Sequence, residues 1–597
     1  MKKLVLSFFM GAFIAASLLG LGRFLAEHFS AFRLFYNPSA IKQRLLTDSG
    51  DAFPEFHEIQ RILPSGAAVD LSWPRGQADP REDVFIRTLL YPLKVEPGSP
   101  YVIDFKKSFN PPGPDWRMFE DGGPIRLFVR PGAEVADESH RGSQRHPVGV
   151  VWGIFMASSA LTAALGFLIC RLAGVVRFLP HIAGRLGLYY LTGFLAIVMP
   201  LWIYLMAGGT LSNYSVGGIG FLSVLAACCL MARKSLKNDL PSLREPAVAG
   251  PAGLLMMAGF FLLMVMLLAG RHTFAWDEMS NWSLRAKMLF HDGQFIKTFN
   301  HSAASYPPAW PIYVAFQYFC AGESYDKAAY WAAIAALFCF YMLFLLCLKF
   351  MRLRPWMAWG VLAWHLVMFN RRVFTWGLPE NILLAFFIAA TALTLAWLQQ
   401  GRPRILLILV SLMCAGMCSV KGEGAAMTVI LGLAVLWAMR RQVTVAERLR
   451  IAGWFAAPVM IPFIWVGWLR LQGFPCHFDQ LHVGFSGEKI AAVITTGVHI
   501  LSAYSYDFCA VISAFLALFL LRNPRGWSRE EQFLLFSGAA VLVFSLAGGL
   551  GWQEPDKIVQ YYPEVFGRLS MKAVPPLVLF LCSRFCDFKW EGATRRG

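Results

Sequence analysis

Long apolar runs separated by short polar loops are the dominant pattern of this chain. A bilayer-crossing helix needs about 20 consecutive apolar residues, and most of the runs approach that length. The pattern therefore predicts an α-helical polytopic membrane protein with about 14 transmembrane helices. The predicted spans are 4–25, 148–170, 186–206, 216–232, 253–270, 328–348, 355–369, 381–398, 405–420, 425–438, 451–468, 505–521, 533–550 and 574–586.

Residues 26–147 interrupt this pattern with a polar segment rich in Pro and Gly. Alternating apolar and polar positions at 83–95, 101–105 and 125–129 predict short β-strands. We interpret 1–25 as an uncleaved signal anchor, because two lysines precede its apolar run and no clear small-residue cleavage site follows it. Residues 26–147 are then expected to form a small periplasmic domain with a structural or acceptor-docking role. The rest divides into additional transmembrane helices at 148–252 and a transmembrane core at 253–597.

Composition supports the bilayer as the main solvent. Of the 597 residues, 57% are hydrophobic and 15% are charged, and the mean hydropathy is +0.51. The net charge of +17 is compatible with nucleic-acid binding, but the basic residues form small clusters between apolar runs, as in cytoplasmic loops. We therefore expect the lipid bilayer, and no nucleic acid, as a partner. Most of the 12 Cys lie in apolar runs, so a disulfide framework is not expected.

The basic clusters also predict the orientation. With 26–147 outside, each cluster falls on the cytoplasmic side, provided that the short apolar run at 309–321 is a re-entrant or interfacial element and not a span. The polar stretch 271–308, the longest interruption of the apolar part, then faces the non-cytoplasmic side, as residues 26–147 do.

Charged residues in the predicted outer loops are the candidates for chemistry. Adjacent acids, Asp277 and Glu278, follow a predicted membrane exit, at a depth where Trp, Tyr, Lys or Arg is usual. A carboxylate there can take a proton from a hydroxyl while neighbouring cations hold a lipid phosphate. The further candidates on this face are Tyr306, Arg371, Glu380, Lys421, Glu423, Arg568 and Lys572.

The acidic pair also has a structural interpretation, which is capping of the helix predicted for NWSLRAKMLF. Arg285 and Lys287 would place that helix on the membrane surface. His272, His291 and His301 lie near the acids but have no compact metal-ligand spacing. A divalent cation such as Mg²⁺ or Mn²⁺ would then depend on Asp277.

The other candidates have structural interpretations of their own. Glu380 follows Pro379, and this pair is an ordinary helix-start signal. Lys421 and Glu423 in SVKGEG are also compatible with a hairpin whose charges only solvate a turn, and Arg568 with an interfacial anchor. In the functional interpretation, Lys421 is instead held at the interface to pair with phosphate.

Five segments, in this order and on one predicted face, resemble the GT-C superfamily of membrane glycosyltransferases: AWDEMSNWSLRAKMLF, SYPPAWPIYVAF, WGLPENILLAFF, SVKGEG and FGRLSMKAVPP. They are most similar to the bacterial branch near the protein O-mannosyltransferases and the lipid A aminoarabinose transferase. The resemblance implies a protein of the bacterial inner (plasma) membrane with its active site on the periplasmic side. It implies transfer of a sugar from a polyprenyl-phosphate-linked donor to a glycan, lipid or protein acceptor. It implies Asp277 as general base or metal-binding carboxylate, Glu278 as its support, and Lys421, Arg568 and Lys572 as donor-phosphate contacts. In that superfamily the acidic loop normally follows the first span, whereas here four more spans and a soluble domain precede it.

Two other classes remain as alternatives. A transporter or flippase for a lipid-linked saccharide would place charges near the bilayer midplane and often shows internal repeats, and neither is evident in the sequence. A polysaccharide polymerase or ligase would use outer Arg and His residues, for which Arg470, His477 and His482 are available.

Overall fold

The computed structural model describes part of the chain. The described residues are 63, 68–72, 94–95, 99, 101–105, 117–121, 125–130, 148–179, 182–220, 282–294, 305–324, 327–350, 358, 361, 378–474, 486–503, 527–548 and 571–585. The predicted spans at 4–25, 253–270 and 505–521, and most of those at 216–232 and 355–369, lie outside them. Asp277, Glu278, Arg371 and Arg568 also lie outside them.

The N-terminal part contains one five-stranded mixed sheet with strand order β2-β1-β3-β5-β4. Strand β1 pairs in parallel with β2 and β3, whereas β5 pairs antiparallel with β3 and β4. The strands are β1 (Ala68–Ser72), β2 (Lys94–Val95), β3 (Tyr101–Phe105), β4 (Arg117–Asp121) and β5 (Ile125–Val129). The predicted strands at 101–105 and 125–129 are confirmed, and of 83–95 only β2 is described as a strand. The sequence pattern did not predict β1 or β4, and β4 pairs with β5 through a register shift between Met118 and Glu120.

After residue 147 the described elements are helical. The α-helices are α1 (Val148–Leu172), α2 (Ile182–Met206), α3 (Leu284–His291), α4 (Ala309–Ala321), α5 (Lys327–Phe350), α6 (Glu380–Gln399), α7 (Arg404–Val420), α8 (Glu423–Met439), α9 (Val445–Leu471), α10 (Gly487–Ala503), α11 (Arg529–Ala547) and α12 (Val574–Phe585). Short 3₁₀ helices occupy Val175–Phe178 and Met571–Ala573.

Five of the described helices, α1, α2, α5, α6 and α9, are long and apolar enough to cross a bilayer. The apolar helices α7, α8 and α12 are shorter. The predicted helical character and multi-span pattern are thus confirmed in coarse form. Helix α6 is buried along its whole apolar window, whereas α1 and α9 leave most of theirs exposed. Helix α6 is therefore central in the bundle, and α1 and α9 are peripheral.

The short helix α4 is confirmed as an element of 13 residues that is too short to span. It is buried almost throughout, so it is an interior helix and not an interfacial one. Hydrogen bonds hold it against α1 and α2: the Tyr313 hydroxyl lies 2.9 Å from the Tyr190 hydroxyl and 3.2 Å from the Thr162 hydroxyl, and Ser158 donates to the Gln317 side-chain oxygen.

Four predicted cytoplasmic loops meet at one end of the bundle. Gln442, in the α8–α9 turn, accepts hydrogen bonds from Arg402 at 3.0 Å and from Arg529 at 2.8 Å. At the C-terminal end of α6, the Gln400 side chain donates to the Phe178 carbonyl at 2.9 Å. The structure therefore places these loops together, as the clustering of basic residues predicted. Helix α7, with 17 residues, separates this end from Lys421 by about 25 Å.

Candidate functional site

Four charged side chains of alternating sign meet at the opposite end of helices α7 and α8. The Lys421 ammonium lies 2.9 Å from a carboxylate oxygen of Glu380 and 2.9 Å from one of Glu423. The Lys572 ammonium lies 2.6 Å from the second Glu423 oxygen. We refer to Glu380, Lys421, Glu423 and Lys572 as the ion-pair cluster. Its two carboxylates and two ammonium groups sum to zero charge.

The local sequence explains why each member lies where it does. Glu380 begins α6 and Glu423 begins α8, where the positive end of the helix dipole favours a carboxylate. Lys421 follows the last residue of α7, where the negative end of the dipole favours a cation. The α7–α8 turn is tight, because a Cβ atom on Gly424 would lie 2.1 Å from the Met417 carbonyl oxygen. Only glycine fits there, and the turn brings Lys421 and Glu423 side by side.

Burial distinguishes the cluster from surface ion pairs. Glu380 is 2% exposed, Lys421 is 7% exposed and Lys572 is 3% exposed. Burial of the Lys421 ammonium contradicts the interpretation that SVKGEG only solvates a turn. Burial raises the pKa of the Glu423 carboxyl, but Lys421 and Lys572 outweigh it and hold the pKa below its usual range. Burial lowers the pKa of the Lys572 ammonium against the opposing effect of Glu423.

Tyr306 joins the cluster to helix α3. The Lys421 ammonium lies 6.0 Å from the centroid of the Tyr306 ring, at cation–π distance. The Trp282 ring stacks on Tyr306 with centroids 5.5 Å apart and an interplanar angle of 29°. The Arg285 guanidinium donates to the Tyr306 carbonyl at 3.0 Å. Three residues of the 282–306 region thus converge at one end of the ion-pair cluster.

Helix α3 corrects one prediction. The helix exists, but Arg285 is 2% exposed and Lys287 is 4% exposed, so it does not rest on a surface with these side chains in water. Arg285 is buried because a protein carbonyl, not water, accepts its hydrogen bond. The amphipathic pattern indicates only that polar side chains need polar partners, and the protein interior supplies them here.

The structure does not describe the acidic pair itself. The α-helical part of α3 begins at Leu284 and has no acidic residue in its first turn. Residues 282 and 283 already have helical conformation, and Asp277 and Glu278 lie outside the described residues. The capping interpretation of the acidic pair therefore stays a prediction.

The described residues do not favour a metal site in the ion-pair cluster. Both Glu380 and Glu423 contact ammonium groups, which disfavour a neighbouring divalent cation. Among the described residues, no group of three His, Cys, Asp or Glu is placed to hold a metal ion. His291 contacts the Ser324 hydroxyl at 3.1 Å, and burial lowers the pKa of its imidazole to about 4. A divalent ion at Asp277 stays a prediction.

The structure brings together every predicted site residue that it describes: Tyr306, Glu380, Lys421, Glu423 and Lys572. The sequence interpretation assigned no site role to Trp282 or Arg285. Their three-residue spacing just after the acidic pair is a signal for both, since residues three apart share a helix face. Arg470, a candidate of the polymerase alternative, is exposed at the end of α9.

No family model, curated protein or solved structure matches the chain.

Proposed function

We propose that the chain is a membrane glycosyltransferase that moves a sugar from a polyprenyl-phosphate-linked donor to a periplasmic glycan, lipid or protein acceptor. The observation that carries the proposal is the buried ion-pair cluster with Tyr306 beside it. Its members come from three separate segments and Tyr306 comes from a fourth, and the charge pattern assigns all four segments to one membrane face. Buried charges on distant segments are costly unless paired, and they mark functional sites more often than surface charges do.

Two further candidates are near the site along the chain. Glu278 precedes Trp282 by four residues, and Arg568 precedes Lys572 by four residues.

The proposed reaction needs one base and several cations. Asp277 takes the proton of an acceptor hydroxyl, with Glu278 supporting it. The hydroxyl oxygen bonds to the anomeric carbon, the bond from that carbon to the donor phosphate oxygen breaks, and polyprenyl phosphate leaves with the electron pair. Lys421, Lys572 and Arg568 offset the charge that builds on the leaving phosphate. Lys421 and Lys572 now contact carboxylates, so phosphate binding exchanges one of these contacts.

The test uses the full-length protein in proteoliposomes with a panel of polyprenyl-phosphate hexoses and aminopentoses. Release of polyprenyl phosphate and appearance of the sugar on cell-envelope acceptors are measured together. We expect Asp277→Asn to lower transfer by about 10²–10⁴-fold, because the base is lost. Asp292→Asn is the matched control on the same segment, since Asp292 is exposed at the end of α3, and it should retain activity.

The same assay separates the alternatives. A flippase would move a lipid-linked saccharide across the bilayer without releasing polyprenyl phosphate. A polymerase or ligase based on outer Arg and His residues would keep its activity in Asp277→Asn. Either result would overturn the proposed function.

A further inference from the structure

The Tyr306 ring has the Trp282 ring and the Lys421 ammonium as neighbours. One face of its ring stacks on Trp282, and the Lys421 ammonium lies within cation–π distance of the ring. Its backbone carbonyl accepts a hydrogen bond from Arg285. A single residue therefore contacts both the start of the α3 region and the ion-pair cluster.

The backbone of Tyr306 is restrained on its C-terminal side. Pro307 and Pro308 follow it, and proline restricts its own φ and the conformation of the residue before it. Pro308 leads directly into α4, whose Tyr313 and Gln317 are hydrogen-bonded to α1 and α2. Tyr306 thus lies three residues before a helix that is itself fixed in the bundle interior.

Trp282 is the described residue of the site that is closest to the acidic pair along the chain. It follows Asp277 by five residues and Glu278 by four. The proposed reaction needs a carboxylate and Lys421 at a constant separation, and a misplacement of about 1 Å can cost about 10²-fold in rate. A ring between Trp282 and Lys421 is placed to set that separation.

We propose that Tyr306 is a positioning residue: its ring holds the segment that follows the acidic pair against Lys421 of the ion-pair cluster. This inference rests on the proposed glycosyltransferase function. The ring and not the hydroxyl carries the role, because the stacking and the cation–π contact both use the ring face.

The experiment compares Tyr306→Phe, which keeps the ring, with Tyr306→Leu, which removes it. In the transfer assay we expect Tyr306→Phe to stay within about twofold of the wild type in kcat. Tyr306→Leu should lose about 10–10²-fold in kcat with little change in KM for the polyprenyl-phosphate sugar. Hydrogen exchange of the full-length protein should show faster exchange over 282–291 in Tyr306→Leu and not in Tyr306→Phe.

Phe290→Leu is the matched control. Phe290 packs at the other end of α3, with ring centroids 5.9 Å from Tyr318 and 5.1 Å from Phe319. Its replacement loosens the α3–α4 contact away from the ion-pair cluster, so exchange should rise there while kcat stays near the wild-type value.

Two outcomes would overturn the inference. Unchanged exchange over 282–291 in Tyr306→Leu would show that the ring does not hold the segment. Equal loss of kcat in Tyr306→Phe and Tyr306→Leu would assign the role to the hydroxyl. A wild-type protein that transfers no sugar would overturn the proposed function and the catalytic part of this inference, while the exchange rates would still decide whether Tyr306 holds the segment.

Discussion

Lys421 is the member of the ion-pair cluster whose replacement should most affect the folded state. Its ammonium is buried and contacts two carboxylates, one on α6 and one at the start of α8. Removing one partner of a buried ion pair leaves an uncompensated charge, which costs more than the pair contributes when intact. The residue therefore matters to the folded state whatever reaction the site performs.

We predict that Lys421→Met lowers the free energy of unfolding by about 3–5 kcal/mol, because Glu380 would lose its ammonium partner in a buried site. Thermal unfolding in detergent measures the change. Lys421→Met combined with Glu380→Gln should recover part of the loss, since the orphaned carboxylate is then neutral.

The control for this prediction is Arg450→Met. Arg450 forms an ion pair with Glu447 at 3.9 Å, but its side chain is 69% exposed. Exposed pairs contribute at most about 1 kcal/mol, so the change should be much smaller. An equal effect of the two substitutions would contradict the buried character of the ion-pair cluster.

The stability that Glu423 contributes to the folded protein should depend on pH. Its pKa lies below the usual range in the folded protein, so its stabilising contribution is present above the unfolded-state pKa of about 4.3. That contribution is lost as the pH falls through the lower folded-state pKa. We expect Glu423→Gln to unfold at a lower temperature than the wild type at pH 7, with a difference that narrows on acidification below about pH 4. A difference that widens on acidification would be evidence against the ion pairing.

Helices α1 and α2 pack closely, because each contributes one glycine to the contact between them. A Cβ atom on Gly166 would lie 1.7 Å from the Tyr189 carbonyl oxygen, and one on Gly193 would lie 1.7 Å from the Thr162 carbonyl oxygen. Small residues allow such close approach of helices in membranes. The pair also positions Thr162 and Tyr190, which hold α4.

We predict that Gly193→Ala destabilises the protein by about 1–3 kcal/mol, because the two helices must separate to admit the methyl group. Thermal unfolding in detergent is again the measurement. Gly153→Ala is the control on α1, since no atom lies within 4 Å of a Cβ there. It should be neutral or stabilising by up to about 1 kcal/mol through helix propensity. Similar destabilisation by both variants would exclude close packing as the cause.

Helix bounds were predicted best where an apolar run and the helix coincide. Helices α5, α6 and α7 match the runs at 328–348, 381–398 and 405–420 closely. Helix α9 begins well before its apolar run at 451–468, because Thr444 caps it by accepting a hydrogen bond from the Glu447 amide. Helix α10 was missed, because Thr, Ser and His residues interrupt its apolar positions. The cap of α9 therefore explains why its start was predicted too late, and the mixed composition of α10 explains why that helix was not predicted.

The two ends of the α7–α8 hairpin carry different side chains. One end carries the hydrogen-bonded loops around Gln442, and the other carries the ion-pair cluster. The loop end is rich in arginine, which the positive-inside rule assigns to the cytoplasm. The cluster would then face the periplasm.

This orientation predicts opposite labelling of two introduced cysteines. In intact cells, a membrane-impermeant maleimide should label Asp292→Cys near α3 but should label Arg441→Cys in the α8–α9 turn only after permeabilisation. The unsubstituted protein must be labelled in parallel, because the native Cys320 is exposed. Labelling of Arg441→Cys in intact cells would reverse the proposed topology.

The sequence by itself predicted most of the described helices, though not α10, and predicted that the basic loops around Gln442 lie at one end, because apolar run length and basic clusters are local properties of the chain. It also identified Glu380, Lys421, Glu423 and Lys572 as separate candidates. Only the tertiary structure decided that these four charges pair with one another, that Tyr306 lies between Trp282 and Lys421, and that α3 is buried. The physical reason is that an ion pair or a ring contact between distant segments depends on how helices pack, and periodicity along the chain does not encode which helix ends meet.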